Sequence, residues 1–202
     1  MRNPLPPVGV APAACFALLL AAALPARAAD PIALQVERDG PQLQVRATVD
    51  AQAPAELCYA VIADFDRLAE FIPDLQSSRI VSGPGQPLRL RQVGETRLGL
   101  SRYAVDVTLA LTVDPPHRID FRRVDGNLVL MEGNWQVHGD TRRCAIDYHA
   151  ALQPSFWVPP LLGPMIVRHQ VERQLAGLLA EIDRRVRTPA AAAPRQSASE
   201  SQ

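Results

Sequence analysis

Residues 53–81 read APAELCYAVIADFDRLAEFIPDLQSSRIV, and this stretch predicts two short helices followed by a strand. Pro54 suits the start of the first helix, because the first helical turn leaves N–H groups unpaired and proline has no N–H. We expect this helix to end at Ala63. A second helix is predicted over residues 67–71, and Pro73 ends it because the residue before a proline disfavours helical geometry.

On both sides of this stretch, apolar and polar residues alternate in the way that is typical of half-buried strands. Asp39-Gly40 predicts a hairpin before the helices. A long pattern with helical spacing closes the domain over about residues 160–187. The predicted strands cover about residues 32–38, 43–50, 77–83, 87–97, 100–113, 117–124, 127–138 and 141–152.

The last two strands show which side of the sheet is apolar. If Gly139-Asp140 is a two-residue turn, Trp135 lies opposite Cys144 and Met131 lies opposite Tyr148. The alternation of side chains along a strand then places both apolar sets on one face. A single antiparallel sheet with one apolar face is therefore predicted. The same reasoning gives the inward residues Tyr103, Val105, Val107, Leu109 and Ile146.

Only one long helix is available to cover this apolar face. A helix is about 10–12 Å wide, whereas six or more strands spaced about 4.7–4.9 Å apart form a wider surface. The sheet must therefore curl round the helix, and Val171 lies on the helical face that meets it. Space left between helix and sheet would be an apolar pocket for a small molecule. The alternative is a completely filled core.

A proline-rich loop before the long helix carries large apolar residues that are difficult to bury together. Phe156 and Trp157 either cap one end of the sheet or form, with Phe71 and Ile72, a lid that contacts a membrane surface. The expected ligand-contacting residues are Phe71, Ile72, Tyr103, Val105, Val107, Leu109, Met131, Trp135, Cys144, Ile146, Tyr148, Phe156, Trp157, Met165 and Val171.

The composition excludes several classes of function. The 202 residues include 21 basic and 21 acidic side chains, and every basic one of them is arginine. Without lysine, Schiff-base chemistry and a phosphate-loop lysine are both excluded. With a net charge of zero, the protein also lacks the excess of basic residues that binding to nucleic-acid backbones requires. We expect no nucleic-acid partner, and the sequence identifies no protein partner.

The first 28 residues predict a cleaved secretory signal. An apolar run at residues 13–24 follows Arg2, and Ala26-Arg27-Ala28 supplies small residues for a signal peptidase. The run is too short to span a bilayer core of about 30 Å. We therefore expect export, most simply to a periplasm, a folded domain over residues 29–187 and a low-complexity tail over 188–202.

After signal cleavage, Cys58 and Cys144 remain in an oxidising compartment. They can form a disulfide or remain two small buried side chains. The second alternative is favoured, because free cysteine is commonly buried and a domain of this length does not need a covalent link.

No arrangement typical of catalysis or of a metal site is found in the sequence. The four histidines form neither HxH nor HExxH, and no GxSxG motif is present. Glu132 could act as an acid or base if it faced inward, but its neighbours Met131 and Gly133 favour the solvent side. We expect no catalytic residues, no metal and no cofactor.

The order of elements resembles that of the START-related helix-grip superfamily, and the residues that carry the likeness are 53–81, Gly133-Asn134-Trp135 and 154–164. The closest resemblance is to the polyketide cyclase/dehydrase or coenzyme-Q-binding START-type branch, over about residues 43–187. It implies an α+β helix-grip fold, in which a curved antiparallel sheet wraps round one long C-terminal helix and two short helices follow the first strand. It also implies that the domain binds an isoprenoid quinone or another lipid, with carrying or chaperoning of that lipid as the further role. The alternatives are a cyclase or dehydratase acting on a polyketide-like substrate, and a filled-core protein-interaction module.

Overall fold

The computed structural model describes residues 30–98, 101–156, 158–159 and 162–188. The predicted signal segment and nearly all of the predicted tail lie outside these residues. The described strands are β1 (Ile32–Asp39), β2 (Gln42–Ala51), β3 (Leu75–Ile80), β4 (Arg89–Leu98), β5 (Ser101–Asp114), β6 (Arg118–Gly126), β7 (Leu128–Gly139) and β8 (Cys144–Pro154). The described helices are α1 (Ala55–Ile62), α2 (Leu68–Phe71), which a 3₁₀ turn at Phe65–Arg67 precedes, and α3 (Gly163–Arg187).

The eight strands form one antiparallel sheet in the order β1-β2-β8-β7-β6-β5-β4-β3. The short helices lie in the chain between β2 and β3. β2 is next to one edge strand of the sheet, and β3 is the edge strand on the opposite side. The sheet curves round α3, which confirms the helix-grip arrangement predicted from the sequence.

The pairing of β7 with β8 differs from the predicted register. Trp135 lies opposite Tyr148 rather than Cys144, because the connection is a four-residue loop at 140–143 instead of a two-residue turn. The Asp140 carboxylate accepts hydrogen bonds from the backbone N–H groups of Arg142 and Arg143, at 2.7 Å and 3.0 Å, and so stabilises the longer loop. The partner of Trp135 changes by four residues. An even shift keeps every side chain on its predicted face.

The apolar side of α3 packs into the concave side of the sheet. Val171, Leu175, Leu178 and Ile182 recur at helical spacing and are all buried. Gly177 faces the segment that follows α2, and a Cβ at this position would lie 2.4 Å from the carbonyl oxygen of Phe71. Glycine is required here for the close approach of helix and segment.

The two cysteines form a disulfide, so the expectation of two free thiols was wrong. The Cys58–Cys144 bond joins α1 to the first residue of β8, with a Cα–Cα distance of 6.7 Å. The sequence could not reveal this proximity, because the two positions have a sequence separation of 86 and only the folded sheet brings them together. Both side chains are buried.

A buried ionic cluster joins the C-terminal half of α3 to the turn after α1. The Glu181 carboxylate is 6% exposed, and it accepts hydrogen bonds from Arg184 and Arg185 at 2.6–2.7 Å. Arg185 also donates to the Asp64 carboxylate at 2.5 Å. The hydrogen bond from Arg184 and then that from Arg185 lower the pKa of Glu181 to about 2, although burial opposes this shift.

Candidate functional site

A cavity of about 220 Å³ lies between α3, the inner face of the sheet and the short helices. Apolar side chains form most of its wall, which is the usual composition of a site for a small hydrophobic molecule. The sheet contributes residues from β4 to β8, while α3 contributes one side of the wall along its buried face. The space predicted between helix and sheet is therefore present.

Eight of the residues expected to contact a ligand line this cavity. They come from the residue after α2, from the three strands β5, β7 and β8, and from α3. These residues are Ile72, Val105, Val107, Leu109, Met131, Trp135, Tyr148 and Val171.

Six other residues from that set do not line the cavity. Cys144 is held in the disulfide, and Ile146 is completely buried in the core. Phe71 packs beside the core, with the guanidinium of Arg185 6.0 Å from its ring centre. Met165 is 61% exposed. The remaining two are Tyr103 and Phe156, which contact one another.

The contact between Tyr103 and Phe156 explains where the proline-rich loop packs. Their rings are stacked, with centres 4.2 Å apart and an angle of 11° between the planes. Phe156 thus covers the beginning of β5 instead of entering the cavity. Trp157, which was expected to act with it, lies outside the described residues.

An aromatic group forms the wall on β7 and β8. Trp135 and Tyr148 are direct cross-strand partners, and their ring centres are 4.1 Å apart. Phe121 of β6 also lies near Tyr148, with their ring centres 6.2 Å apart. Burial raises the pKa of Tyr148 well above its ordinary value of 10, so its hydroxyl remains protonated at neutral pH.

A polar cluster closes the cavity where the start of β3, β4 and α3 meet. Gln170 of α3 donates to the carbonyl oxygen of Glu95 at 3.2 Å and accepts a hydrogen bond from Thr96 at 2.7 Å. Asp74 accepts a hydrogen bond from Arg173. These interactions attach α3 to one edge of the cavity wall.

Several wall residues were not found from the sequence. Phe65 and Leu68 belong to the 3₁₀ turn and α2, where no periodic pattern identifies an inner face, and Leu75 is the first residue of β3. Gln170 and Gln174 flank Val171 on α3. Helical spacing places them beside the apolar stripe, and this signal could have identified them.

The charged groups that line the cavity are few. Asp74 and Glu95 are the two ionisable acids among the described lining residues, and no basic side chain is among them. Glu132 is exposed on the opposite face of the sheet, as predicted from its alternation. Within the described residues, no group of three or more potential ligands could hold a metal ion, and no helix is long and apolar enough to cross a membrane.

A comparison with models of known protein families assigns this chain to one of them. The model of the family described as polyketide cyclase / dehydrase and lipid transport matches residues 51–179, more than half of the sequence. This protein therefore belongs to that family. A comparison with curated protein sequences finds no match.

Solved structures with the same fold are distant in sequence. The Zhui aromatase/cyclase from a Streptomyces species has a TM-score of 0.60 at 20% identity, over 74% of this chain and 98% of its own. A START superfamily protein from Mycobacterium smegmatis has a TM-score of 0.61 at 16% identity, over 70% and 97%. A STAR-related lipid transfer protein from Xanthomonas axonopodis has a TM-score of 0.60 at 16% identity, over 78% and 97%. These similarities establish a START-like fold.

Proposed function

We propose that this protein binds and carries a hydrophobic small molecule in the cavity between α3 and the sheet. The observation that carries the proposal is the apolar cavity itself, which the fold leaves open where a filled core would pack side chains. Membership of a family of polyketide-acting and lipid-transport proteins supports the same conclusion. An isoprenoid quinone or a similar lipid is our leading ligand class, by resemblance to the coenzyme-Q-binding branch.

A cyclase or dehydratase for a polyketide-like substrate is the second candidate, and family membership supports it equally. Such an enzyme needs an acid and a base that face the substrate. Both lining carboxylates are paired with arginine, Asp74 with Arg173 and Glu95 with Arg102 at 3.6 Å. An arginine thus binds each of the two lining carboxylates, and neither is a free group that faces a substrate alone. Binding is therefore the better supported of the two activities.

The identity of the bound molecule is best tested on protein purified from its own host. Native mass spectrometry should show the protein together with an apolar lipid of unchanged structure, and organic extraction then identifies that lipid. Recovery of a cyclised or dehydrated product instead would favour the enzyme.

Filling the cavity from its wall should prevent binding without unfolding the protein. Val107 is 2% exposed and borders the cavity, so Val107→Trp places the indole in the space that a ligand would occupy. We expect at least about a tenfold loss of affinity for Nile red, equivalent to about 1.4 kcal/mol. Fluorescence titration measures this loss, and thermal unfolding checks the fold.

Thr108→Trp is the matched control, because the neighbouring residue points to the opposite face of the same strand. This variant should bind Nile red as the wild type does. If the wild type binds no apolar dye and Val107→Trp collapses the fold, the core is filled and the carrier proposal is wrong.

We also propose that the protein is exported to a periplasm as a cleaved precursor. The disulfide supports this location, because such bonds persist mainly in oxidising compartments. Mass spectrometry of the protein from its host should give a mature chain that begins at Ala29. An intact chain that still begins at Met1 would contradict the signal interpretation.

Transient contact with a membrane surface would give the carrier access to its lipid. Leu162 and Met165 support this part of the proposal, since they are 43% and 61% exposed near the start of α3. We expect Leu162→Ser/Met165→Ser to slow the transfer of a fluorescent quinone analogue between phosphatidylcholine vesicles several-fold. Val81→Ser, at an apolar position that is 52% exposed elsewhere, is the control and should leave transfer unchanged. Equal rates for the wild type and the double variant would exclude this contact site.

A further inference from the structure

The Tyr148 hydroxyl is a polar group in an otherwise apolar part of the cavity wall. Tyr148 lies on the inner face of β8 and packs near Trp135 of β7 and Phe121 of β6. No described residue forms a hydrogen bond with its hydroxyl. Tyr148 is partly buried, and its hydroxyl is not among the fully buried atoms without a partner, so it keeps accessible surface at the cavity wall. This donor is therefore available to a molecule that enters the cavity.

The Trp135 side chain determines how the hydroxyl is presented. Trp135 lies directly opposite Tyr148 in the β7–β8 register, and its ring packs on the tyrosine ring at 4.1 Å. Phe121 of β6 packs near the same ring, with the two ring centres 6.2 Å apart. Because two neighbouring aromatic groups hold the ring, little conformational freedom is lost when a ligand accepts the hydrogen bond.

The charges along the wall restrict the ligand further. Asp74 and Glu95 are acidic, and the described lining residues include no arginine or protonated amine. The nearby Arg173 is already bound to Asp74. A ligand carboxylate would lose its hydration in the cavity without gaining a cation, which is strongly unfavourable. A neutral oxygen acceptor does not incur this cost.

We propose that the cavity selects neutral, apolar molecules that carry a carbonyl oxygen, and that Tyr148 donates a hydrogen bond to that oxygen. This inference rests on the proposed binding function and deepens it, because it names the polar group that a ligand must have. Ketones and quinones fit this description, whereas free fatty acids and plain hydrocarbons do not.

Three probes with the same fused-ring body test the selection. Menadione carries quinone carbonyls, methylnaphthalene has no oxygen, and naphthoate carries a carboxylate. By isothermal titration calorimetry we expect the wild type to bind menadione about tenfold more tightly than methylnaphthalene, the scale of one net hydrogen bond. Naphthoate should bind most weakly of the three.

The variant Tyr148→Phe removes only the hydroxyl. Its affinity for menadione should fall to that for methylnaphthalene, while methylnaphthalene should bind as tightly as it does to the wild type. Tyr103→Phe is the matched control, because Tyr103 does not line the cavity. This control should keep the preference for menadione, and thermal unfolding checks that each variant is folded.

The outcomes separate this inference from the proposed function. If all three probes fail to bind, both are overturned. If menadione and methylnaphthalene bind equally well, or if Tyr148→Phe keeps the preference for menadione, the cavity binds apolar molecules but Tyr148 does not select among them. If naphthoate binds most tightly, the selection of neutral ligands is wrong.

Discussion

The double variant Cys58→Ala/Cys144→Ala is expected to unfold with a free energy about 3–5 kcal/mol lower than that of the wild type. The bond closes a long loop, since the two positions have a sequence separation of 86, and its loss allows the unfolded chain many more conformations. A loss of this size should lower the melting temperature by about 10 °C for a domain of this length. Urea unfolding with far-UV circular dichroism measures the change.

Reduction of the wild type supplies the control for this variant. Wild-type protein with its disulfide reduced should approach the stability of the double alanine variant, whereas the reductant should not affect the variant itself. If reduction leaves the urea midpoint of the wild type unchanged although mass spectrometry shows two free thiols, the bond does not stabilise the fold.

Replacing the buried carboxylate in Glu181→Gln should lower stability at neutral pH by about 3 kcal/mol. The folded-state pKa of Glu181 is about 2, compared with an ordinary value of 4.5, and each pKa unit corresponds to about 1.4 kcal/mol. Because the folded pKa is lower, the ionised group stabilises the folded state fully above about pH 4.5. This stabilisation is lost as the pH falls towards about 2.

The difference between wild type and Glu181→Gln should therefore shrink on acidification. Urea unfolding at neutral pH and near pH 3 measures this change. Glu70→Gln is the matched control, because Glu70 pairs with Arg67 at the same spacing on the surface, with a carboxylate side chain that is 57% exposed. Solvent screens such a pair, so this variant should change stability little. If the difference in unfolding free energy between the wild type and Glu181→Gln does not change with pH, ionisation of Glu181 does not stabilise the folded state.

The sheet could be predicted because alternation depends on neighbouring residues. Every predicted strand is present, and the apolar face of β7 and β8 remained correct although the register was not. The even shift arises from the loop at Asp140, whose side chain accepts two backbone hydrogen bonds. Such a choice between two loop lengths depends on a few contacts, and the alternation pattern is the same for both.

The disulfide and part of the cavity wall could not be predicted for a different reason. Cys58 and Cys144 are brought together only when α1 packs over the end of the sheet. Leu68 of α2 lines the cavity because the segment between α1 and β3 packs against α3. Their positions depend on contacts between distant parts of the chain, and local periodicity contains no information on these.

The position of the tightest packing has a consequence for how a ligand leaves. The side chains with the least exposure lie mainly on β2, β8, α1 and α3, whereas β3 forms an edge of the sheet beside the cavity. Amide protons of β2 and β8 should therefore exchange with solvent only through global unfolding, while those of β3 and the short helices exchange through smaller, more frequent openings. Release of a molecule from the cavity through this edge would require only these local openings, while the tightly packed part of the domain stays folded.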